Sequence, residues 1–197
     1  MSSKHGQLEI IGRVVERAQQ GQQILDAMRD WGMDTSGVQV DARLATGLVD
    51  VRLVDGEPSY DIVCPVAYDA IQAPDGEPAC GLLYHGSLAV RESASRGALQ
   101  AIKARHRGLL FVDVNLRPPW WQREQVSALL DDADWAKLNG DELRVLGGHD
   151  ARDLIDRHGL QGLILTHGPR GAEVVTADGQ HAAIHEQYLS RETIFFF

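Results

Sequence analysis

From residue 82 onward, short apolar segments alternate with longer segments that carry a polar face, and this alternation constrains the fold more than any other feature. The apolar segments have the length of buried strands and cover residues 82–86, 109–114, 135–138 and 163–166. The segments between them have the length and apolar period of crossover helices and cover residues 93–106, 122–130 and 140–158. The sequence therefore predicts an α/β fold with a mostly parallel sheet, in which the last helix breaks near Gly147 and Gly148.

Before residue 82 the pattern predicts one helix and one hairpin. Apolar residues recur at helical spacing over residues 19–31, and Gly32 lies where a helix commonly ends. A turn follows over residues 34–37. Residues 48–54 and 59–63 then flank an Asp-Gly pair, which is the signal of an antiparallel β-hairpin.

A second hairpin and the two chain ends complete the organisation. Residues 171–176 and 181–184 flank another Asp-Gly pair and are predicted to form this hairpin. The apolar residues 193–197 are typical of an interrupted core strand, and residues 8–12 are the only short candidate for an opening strand. We therefore expect the chain to be truncated at both ends.

The composition excludes several classes of protein. Apolar residues make up 44% of the 197 residues, enough to bury a core, and no apolar run approaches the ~20 residues of a membrane span. The two cysteines show no metal-ligand spacing and are too few for a disulfide scaffold. The net charge of −9 repels a phosphate backbone and an anionic membrane. We expect a soluble, cytoplasmic protein with neither nucleic acid nor a membrane as partner.

Polar side chains follow the predicted strand 109–114 and are stopped by a proline pair. Asp113, Asn115 and Arg117 share one face if the chain stays extended beyond the strand. The carboxyl ends of parallel strands face the ligand crevice of an α/β sheet, so this set would suit a polyol or a phosphoryl group. Alternatively, Asp113 caps a helix and Arg117 pairs with a surface acid.

A second polar pair, Asn139 and Glu142, begins the helical segment after the strand 135–138. Asn is a favoured N-cap and Glu three residues later is its capping-box partner, and the local sequence favours this structural role. The same pair could instead hold a hydrated Mg²⁺, because both oxygens lie at the positive end of a helix beside the crevice.

The third candidate is the turn after the strand 163–166. Gly168 and Gly171 flank this turn, where bare backbone N–H groups can approach phosphate oxygens closely. The same spacing also occurs in an ordinary hairpin turn, and it is neither the P-loop nor the dinucleotide fingerprint. The histidines are scattered without metal-ligand spacing, and only His167 is retained as a candidate.

In their order and spacing these motifs resemble those of the PfkB (ribokinase-like) family of carbohydrate kinases, especially its fructokinase and 2-keto-3-deoxygluconate kinase branch. Residues 32–38 resemble the family's G-V-D-T-S-x-V turn, and the hairpin after Thr46 and Gly47 resembles its sugar-covering lid. The remaining matches are to D-x-N-x-R-x-x-L-W at residues 113–120, N-x-x-E at 139–142 and T-x-G-x-x-G at 166–171. The resemblance implies one partial ribokinase-like domain over residues 1–197, with a β lid over about 44–66 and an α/β core over 82–185.

The resemblance also implies an activity, the transfer of the ATP γ-phosphoryl group to a hydroxyl of a sugar or sugar acid. The substrate or the transferring phosphoryl would lie near Asp113, Asn115 and Arg117. The ATP would lie near Asn139, Glu142, Thr166, Gly168 and Gly171, with Mg²⁺ held through water by the first two of these.

The sequence departs from the family pattern at positions that matter for catalysis. It contains no G-A-G-D segment, which in the family supplies an anion hole and the catalytic aspartate, so no catalytic base is assigned. The G-G sugar-binding motif is also absent, and residues 13–21 depart from R-V-G-x-D-x-x-G. We therefore expect impaired or absent turnover and some self-association or homo-oligomer formation. The alternatives are a non-catalytic sugar- or nucleotide-binding module and a subunit completed by another chain.

Overall fold

The computed structural model of the chain describes residues 12–15, 19–54, 57–76 and 80–184. These residues form two compact units. The first unit contains the described residues of Met1–Gly81 and of Ala89–Arg107, and the second contains those of Leu82–Leu88 and of Gly108–Phe197. Most of the predicted strand 8–12, the Asp55-Gly56 pair and the apolar residues 193–197 lie outside the described residues.

The first unit contains two strand pairs and two helices. Its elements are β1 Gly12–Val15, α1 Gln19–Asp30, β2 Val38–Asp41, β3 Val49–Val54, β4 Glu57–Ile62 and α2 Ser93–Arg105. The strands β3 and β4 pair in antiparallel register, which confirms the predicted hairpin. The strands β1 and β2 pair in parallel, and the sequence patterns did not predict them as strands.

The end of α1 follows the pattern predicted for it. Gly32 has a φ of 69°, a left-handed conformation that glycine adopts without steric cost. The amide of Met33 donates to the carbonyl of Met28 at 2.9 Å, as in a Schellman motif. The turn that follows is held by the Ser36 amide, which donates to Asp34 Oδ1 at 2.8 Å.

A buried ion pair ties the segment after β4 to the start of α2 within the first unit. The Asp69 carboxylate accepts from Arg91 Nε and from Arg91 Nη2, each at 2.7 Å, and also from the Val66 amide at 2.9 Å. The guanidinium lies 5.2 Å from the centre of the Tyr68 ring. Because both charges are almost fully buried, this bidentate pairing is what satisfies them.

The second unit is built on a six-stranded sheet in the order β10-β9-β8-β7-β6-β5. Its strands are β5 Leu82–Gly86, β6 Leu109–Asp113, β7 Trp135–Asn139, β8 Gly162–Thr166, β9 Ala172–Thr176 and β10 His181–Ile184. The strands β5 to β8 are parallel, and the last two are joined in antiparallel register. The α/β fold with a mostly parallel sheet is therefore confirmed, as are both predicted hairpins.

Three helices join the strands of the second unit, α3 Arg123–Asp131, α4 Gly140–Val145 and α5 Ala151–His158. The predicted break in the last helical segment is confirmed. Gly147 follows α4 with a φ of 80°, and Asp150 then starts α5 by accepting from the Asp153 amide at 2.9 Å. Within the described ranges, none of the helices has the length and hydrophobicity needed to cross a membrane.

The core of the second unit lies between one face of the sheet and these helices. Register places Val112, Ala136 and Leu163 side by side on three strands, and none of them is exposed to solvent. They pack against a cluster that includes Leu130 of α3 and Leu154 of α5. Close packing on this face fixes the positions of the strand ends, where the candidate site residues lie.

Candidate functional site

A cleft of about 420 Å³ lies at the carboxyl ends of β7 and β8. The two ends are adjacent because Asn139 is paired with Thr166 in the parallel register. The cleft is lined by Asn139, Gly140, Asp141, Arg144, Thr166, His167, Gly168 and Arg170. Residues from two separate sequence motifs, N-x-x-E and T-x-G-x-x-G, therefore meet at one site.

The Asn139 and Glu142 side chains form the capping box that the sequence favoured. Asn139 Oδ1 accepts from the amides of Asp141 and Glu142, each at 2.9 Å. Glu142 Oε2 in turn accepts from the Asn139 amide at 2.9 Å. The other oxygen, Oε1, accepts from the Leu116 amide at 2.7 Å, so this buried carboxylate also holds the loop that follows β6.

The magnesium role of this pair stays a prediction. Every one of these side-chain oxygens already accepts a backbone hydrogen bond, which leaves water-mediated contact as the form that fits the geometry. In the part of the chain that the structure describes, no group of three or more His, Cys, Asp or Glu side chains is arranged to hold a metal ion directly.

The turn between β8 and β9 contains two glycines with left-handed backbone conformations. Gly168 has a φ of 58°, and a Cβ atom added there would meet nothing within 4 Å, so the backbone is open to a ligand. Gly171 has a φ of 94°, and its carbonyl accepts from the His167 amide at 2.8 Å, which closes the turn. Gly171 therefore shapes the turn without lining the cleft.

Two arginines in the cleft were not among the predicted site residues. Arg144 is paired with Asp141, one helical turn away on α4. The Arg170 guanidinium is exposed and has no hydrogen-bond or ion-pair partner among the residues that the structure describes. A cation beside an open glycine turn is suited to an anionic ligand, of which a phosphate group is one example. The arginine in T-x-G-x-x-G was the available sequence signal.

His167, which the sequence analysis retained, belongs to a pair of histidines that share one carboxylate. Its Nε2 lies 3.0 Å from Glu173 Oε1, and His181 Nε2 lies 3.2 Å from Glu173 Oε2. These contacts hold the pKa of Glu173 below its usual range, the larger contribution coming from His181. Glu173 and His181 were missed because the pairing of β9 with β8 brings Glu173 to His167, and the pairing of β10 with β9 brings His181 to the same carboxylate.

Asp113 lies at the end of β6 on the sheet face opposite the core, outside the cleft. The carboxylate is 4% exposed and its Oδ2 accepts from Tyr84 Oη at 2.9 Å and from Lys137 Nζ at 2.8 Å. Burial, and secondly this hydrogen bond, raises the pKa of Tyr84 above its usual range. Asp113 therefore belongs to a polar cluster with Tyr84 and Lys137. It does not cap a helix, which was the alternative that the sequence left open.

The residues after Asp113 do not continue the extended chain on which their shared face depended. Asn115 has a φ of 38°, a left-handed conformation that asparagine tolerates better than most residues, and it turns the backbone. Arg117 is exposed, and its only side-chain contact among the described residues is with the carbonyl of Leu116 at 3.3 Å. The alternative pairing of Arg117 with a surface acid is therefore not observed in this part of the chain.

Comparison with known proteins gives a match to one family over most of the chain. The model of the pfkB family of carbohydrate kinases matches residues 13–188. An uncharacterised sugar kinase of Pyrococcus horikoshii is 25% identical over 167 residues, which cover 79% of this chain and 53% of the relative. The chain thus spans about half the length of the curated relative that it matches.

Solved structures share the fold. Fructokinase from Vibrio cholerae O395 superposes with a TM-score of 0.77 at 24% identity, over 93% of this chain and 68% of that one. Aminoimidazole riboside kinase from Salmonella enterica, solved with aminoimidazole riboside and an ATP analogue, gives a TM-score of 0.70 at 25% identity, over 89% and 61%. These likenesses confirm the predicted ribokinase-like fold.

Proposed function

Because the chain belongs to the pfkB family of carbohydrate kinases, we propose that it binds ATP in the cleft at the ends of β7 and β8. The observation that carries this proposal is the meeting of Asn139, Thr166 and Gly168 in one cleft with the exposed guanidinium of Arg170. Asn139 and Glu142 would hold the Mg²⁺ of the nucleotide through water, and the ion would neutralise phosphate charge. Proteins of the same fold support this assignment, since the Pyrococcus horikoshii sugar kinase was solved with ATP and the Vibrio cholerae fructokinase with ADP.

The acceptor in this proposal is a hydroxyl of a sugar or sugar acid, as in the fructokinase and 2-keto-3-deoxygluconate kinase branch. Its support is the fructose in the Vibrio cholerae structure and the riboside in the Salmonella enterica structure. Arg117 is the residue assigned to the transferring phosphoryl, because its guanidinium is exposed on a loop that Glu142 holds beside the α4 cap. Asn115 shapes that loop, and Asp113 pairs with Lys137 in the middle of β7.

The chain alone is proposed to bind nucleotide while turning over little or no sugar. Its sequence lacks the G-A-G-D segment, and a positioned general base typically contributes ~10²–10⁴-fold to a rate. This absence also favours a second candidate function, a binding module without catalysis. The third, a subunit completed by another chain, would show turnover only on addition of its partner. The free thiols of Cys64 and Cys80 agree with a cytoplasmic location.

Calorimetric titration of ADP tests the nucleotide assignment. Arg170→Gln removes a charge-assisted contact and should raise the dissociation constant roughly fivefold to twentyfold. Arg152→Gln is the matched control, because Arg152 is an exposed arginine on α5 that pairs with Asp156 outside the cleft. Absence of ADP binding by the natural chain, or equal effects of the two variants, would refute the assignment.

A coupled assay with fructose, ribose and 2-keto-3-deoxygluconate tests the proposal that the chain alone turns over little or no sugar. The expected result is little or no ADP release above the background hydrolysis of ATP. Steady turnover at an ordinary kinase rate, abolished by Arg117→Ala, would show that the chain supplies its own base and would refute the proposal of binding without turnover.

A further inference from the structure

The imidazole of His167 is held in one orientation at the wall of the cleft. Its Nε2 lies 3.0 Å from Glu173 Oε1, and 23% of the side chain is exposed. Its other ring nitrogen, Nδ1, has no hydrogen-bond partner among the described residues. One nitrogen is therefore committed to a carboxylate, and the other is available to a ligand.

The contact with Glu173 determines what the imidazole ring can offer a ligand in each of its charge states. A carboxylate accepts only, so the proton of a neutral His167 resides on Nε2 and Nδ1 presents a lone pair. A lone pair repels the oxygens of a phosphate group. A protonated His167 instead presents an N–H donor with a full positive charge, and histidine is the side chain that changes charge near physiological pH.

The charged groups around the ring determine how that charge acts. Glu173 on β9 faces Nε2, and its lowered pKa keeps it ionised over the range in which histidine titrates. His181 on β10 contacts the other oxygen of the same carboxylate. The remaining charged side chains that line the cleft are Arg170 in the turn and Asp141 and Arg144 on α4.

We propose that His167 is a phosphate-binding residue of this cleft, that it acts only when protonated, and that Glu173 is its positioning residue. This inference rests on the proposed nucleotide function and deepens it. The ligand chemistry is a phosphoanhydride, whether that of a nucleotide or of an inorganic polyphosphate. Affinity for such a ligand should rise as the pH falls, because the guanidinium of Arg170 stays charged and a histidine contributes a charge only when it is protonated.

Titrations of ADP and of inorganic pyrophosphate into the full chain, at about pH 6 and about pH 8.5, test the proposal. Comparison with variants at each pH cancels the ionisation of the ligand itself. His167→Gln should weaken binding roughly threefold to tenfold at the lower pH and by less than about twofold at the higher pH. His181→Gln is the matched control, since His181 contacts the same carboxylate without lining the cleft, and it should leave the pH dependence in place.

Glu173→Gln separates a positioning role from a merely structural one. Loss of the carboxylate removes a charge that favours the protonated ring, so the pH at which affinity changes should move downward in this variant. The inference is overturned if ADP binds and His167→Gln follows the natural chain at both pH values. If neither ADP nor pyrophosphate binds, the nucleotide function and this inference both fail. If only pyrophosphate binds, with the expected pH dependence, this inference stands and the nucleotide function fails.

Discussion

One carboxylate, that of Glu142, satisfies two backbone amides in different segments of the second unit. It accepts from Asn139 at the start of α4 and from Leu116 in the loop after β6. Both the carboxylate and Leu116 are buried, so the Leu116 amide cannot turn to bulk water if it loses this partner, whereas Asn139 is an exposed residue. The loop that carries Arg117 and the cap that faces the cleft are thereby held together by a single side chain.

Replacement of this residue should therefore be costly. Glu142→Ala leaves two amides without partners, and we expect it to lower the free energy of unfolding by roughly 2–4 kcal/mol. Glu142→Gln keeps one acceptor oxygen and should cost less. Urea unfolding followed by circular dichroism measures both. Asp141→Ala, at the exposed neighbouring position, is the control, and an equal loss in that variant would contradict the role given to Glu142.

Gly171, in the turn at residues 166–171, and Gly97, on α2, should differ in how they tolerate a methyl group. Gly171 has a φ of 94° with a ψ of −146°, a region almost confined to glycine, so Gly171→Ala should cost roughly 1–3 kcal/mol. Gly97→Ala, on the exposed face of α2 where an added Cβ meets nothing within 4 Å, should instead stabilise by about 0.5–1 kcal/mol. Thermal melts of the two variants give the comparison, and shifts of the same sign would contradict it.

At the scale of elements, the apolar pattern of the sequence was enough to predict the parallel strands of the second unit. The strands β5 to β8 are short, mostly apolar segments, and their predicted bounds agree with the structure to within one residue. The strands β1 and β2 have only four residues each, too few for a period to show. Their pairing depends on contacts distant in sequence, which no local pattern contains.

The same distinction between local pattern and long-range contact applies to the residues of the candidate site. Asn139, Thr166 and Gly168 were predictable because parallel strands bring their carboxyl ends to one edge of a sheet. The expected shared face of Asp113, Asn115 and Arg117 was wrong, because the left-handed Asn115 ends the extended geometry. The contact of Tyr84 and Lys137 with Asp113 depends on register across three strands, and the sequence contained no signal for it.

The cluster of Tyr84, Asp113 and Lys137 joins β5, β6 and β7, and from it we predict how the stability of the chain changes at alkaline pH. The pKa of Tyr84 is raised in the folded chain, so the protonated phenol contributes stability below the ordinary tyrosine pKa of about 10. This contribution is lost as the pH rises through the folded pKa. Tyr84→Phe removes the hydrogen bond to Asp113 and should cost about 0.5–1 kcal/mol at neutral pH, a small loss because the ring is half exposed.

Two measurements check the role of this hydrogen bond. In a spectrophotometric titration, one phenol of the natural chain should ionise well above the usual range and be missing from Tyr84→Phe. In Asp113→Asn the same phenol should ionise at lower pH, since the acceptor charge is gone. A titration curve of Tyr84→Phe that differs from that of the natural chain only near pH 10 would show that Tyr84 ionises normally.

At the scale of the whole molecule, we expect one edge of the six-stranded sheet to be a surface for association. Leu82 and Tyr84 on the edge strand β5 are 48% and 54% exposed, and Leu109 beside them on β6 is 41% exposed. Register and alternation place these side chains on the face opposite the core. An edge strand with apolar neighbours is a template for pairing with another chain, and the net charge of −9 is the main force against it.

We therefore expect the apparent mass in sedimentation velocity to rise with protein concentration and with ionic strength, because salt screens the repulsion between chains and leaves the apolar contact in place. Leu82→Lys and Leu109→Lys place charges on this face at exposed positions and should return the chain toward a monomer. Val145→Lys, at a position on α4 that is 39% exposed, adds the same charge elsewhere and should have little effect. A monodisperse monomer at every concentration and salt level would contradict this prediction, because it would show that the exposed apolar face does not drive association even when charge repulsion is screened.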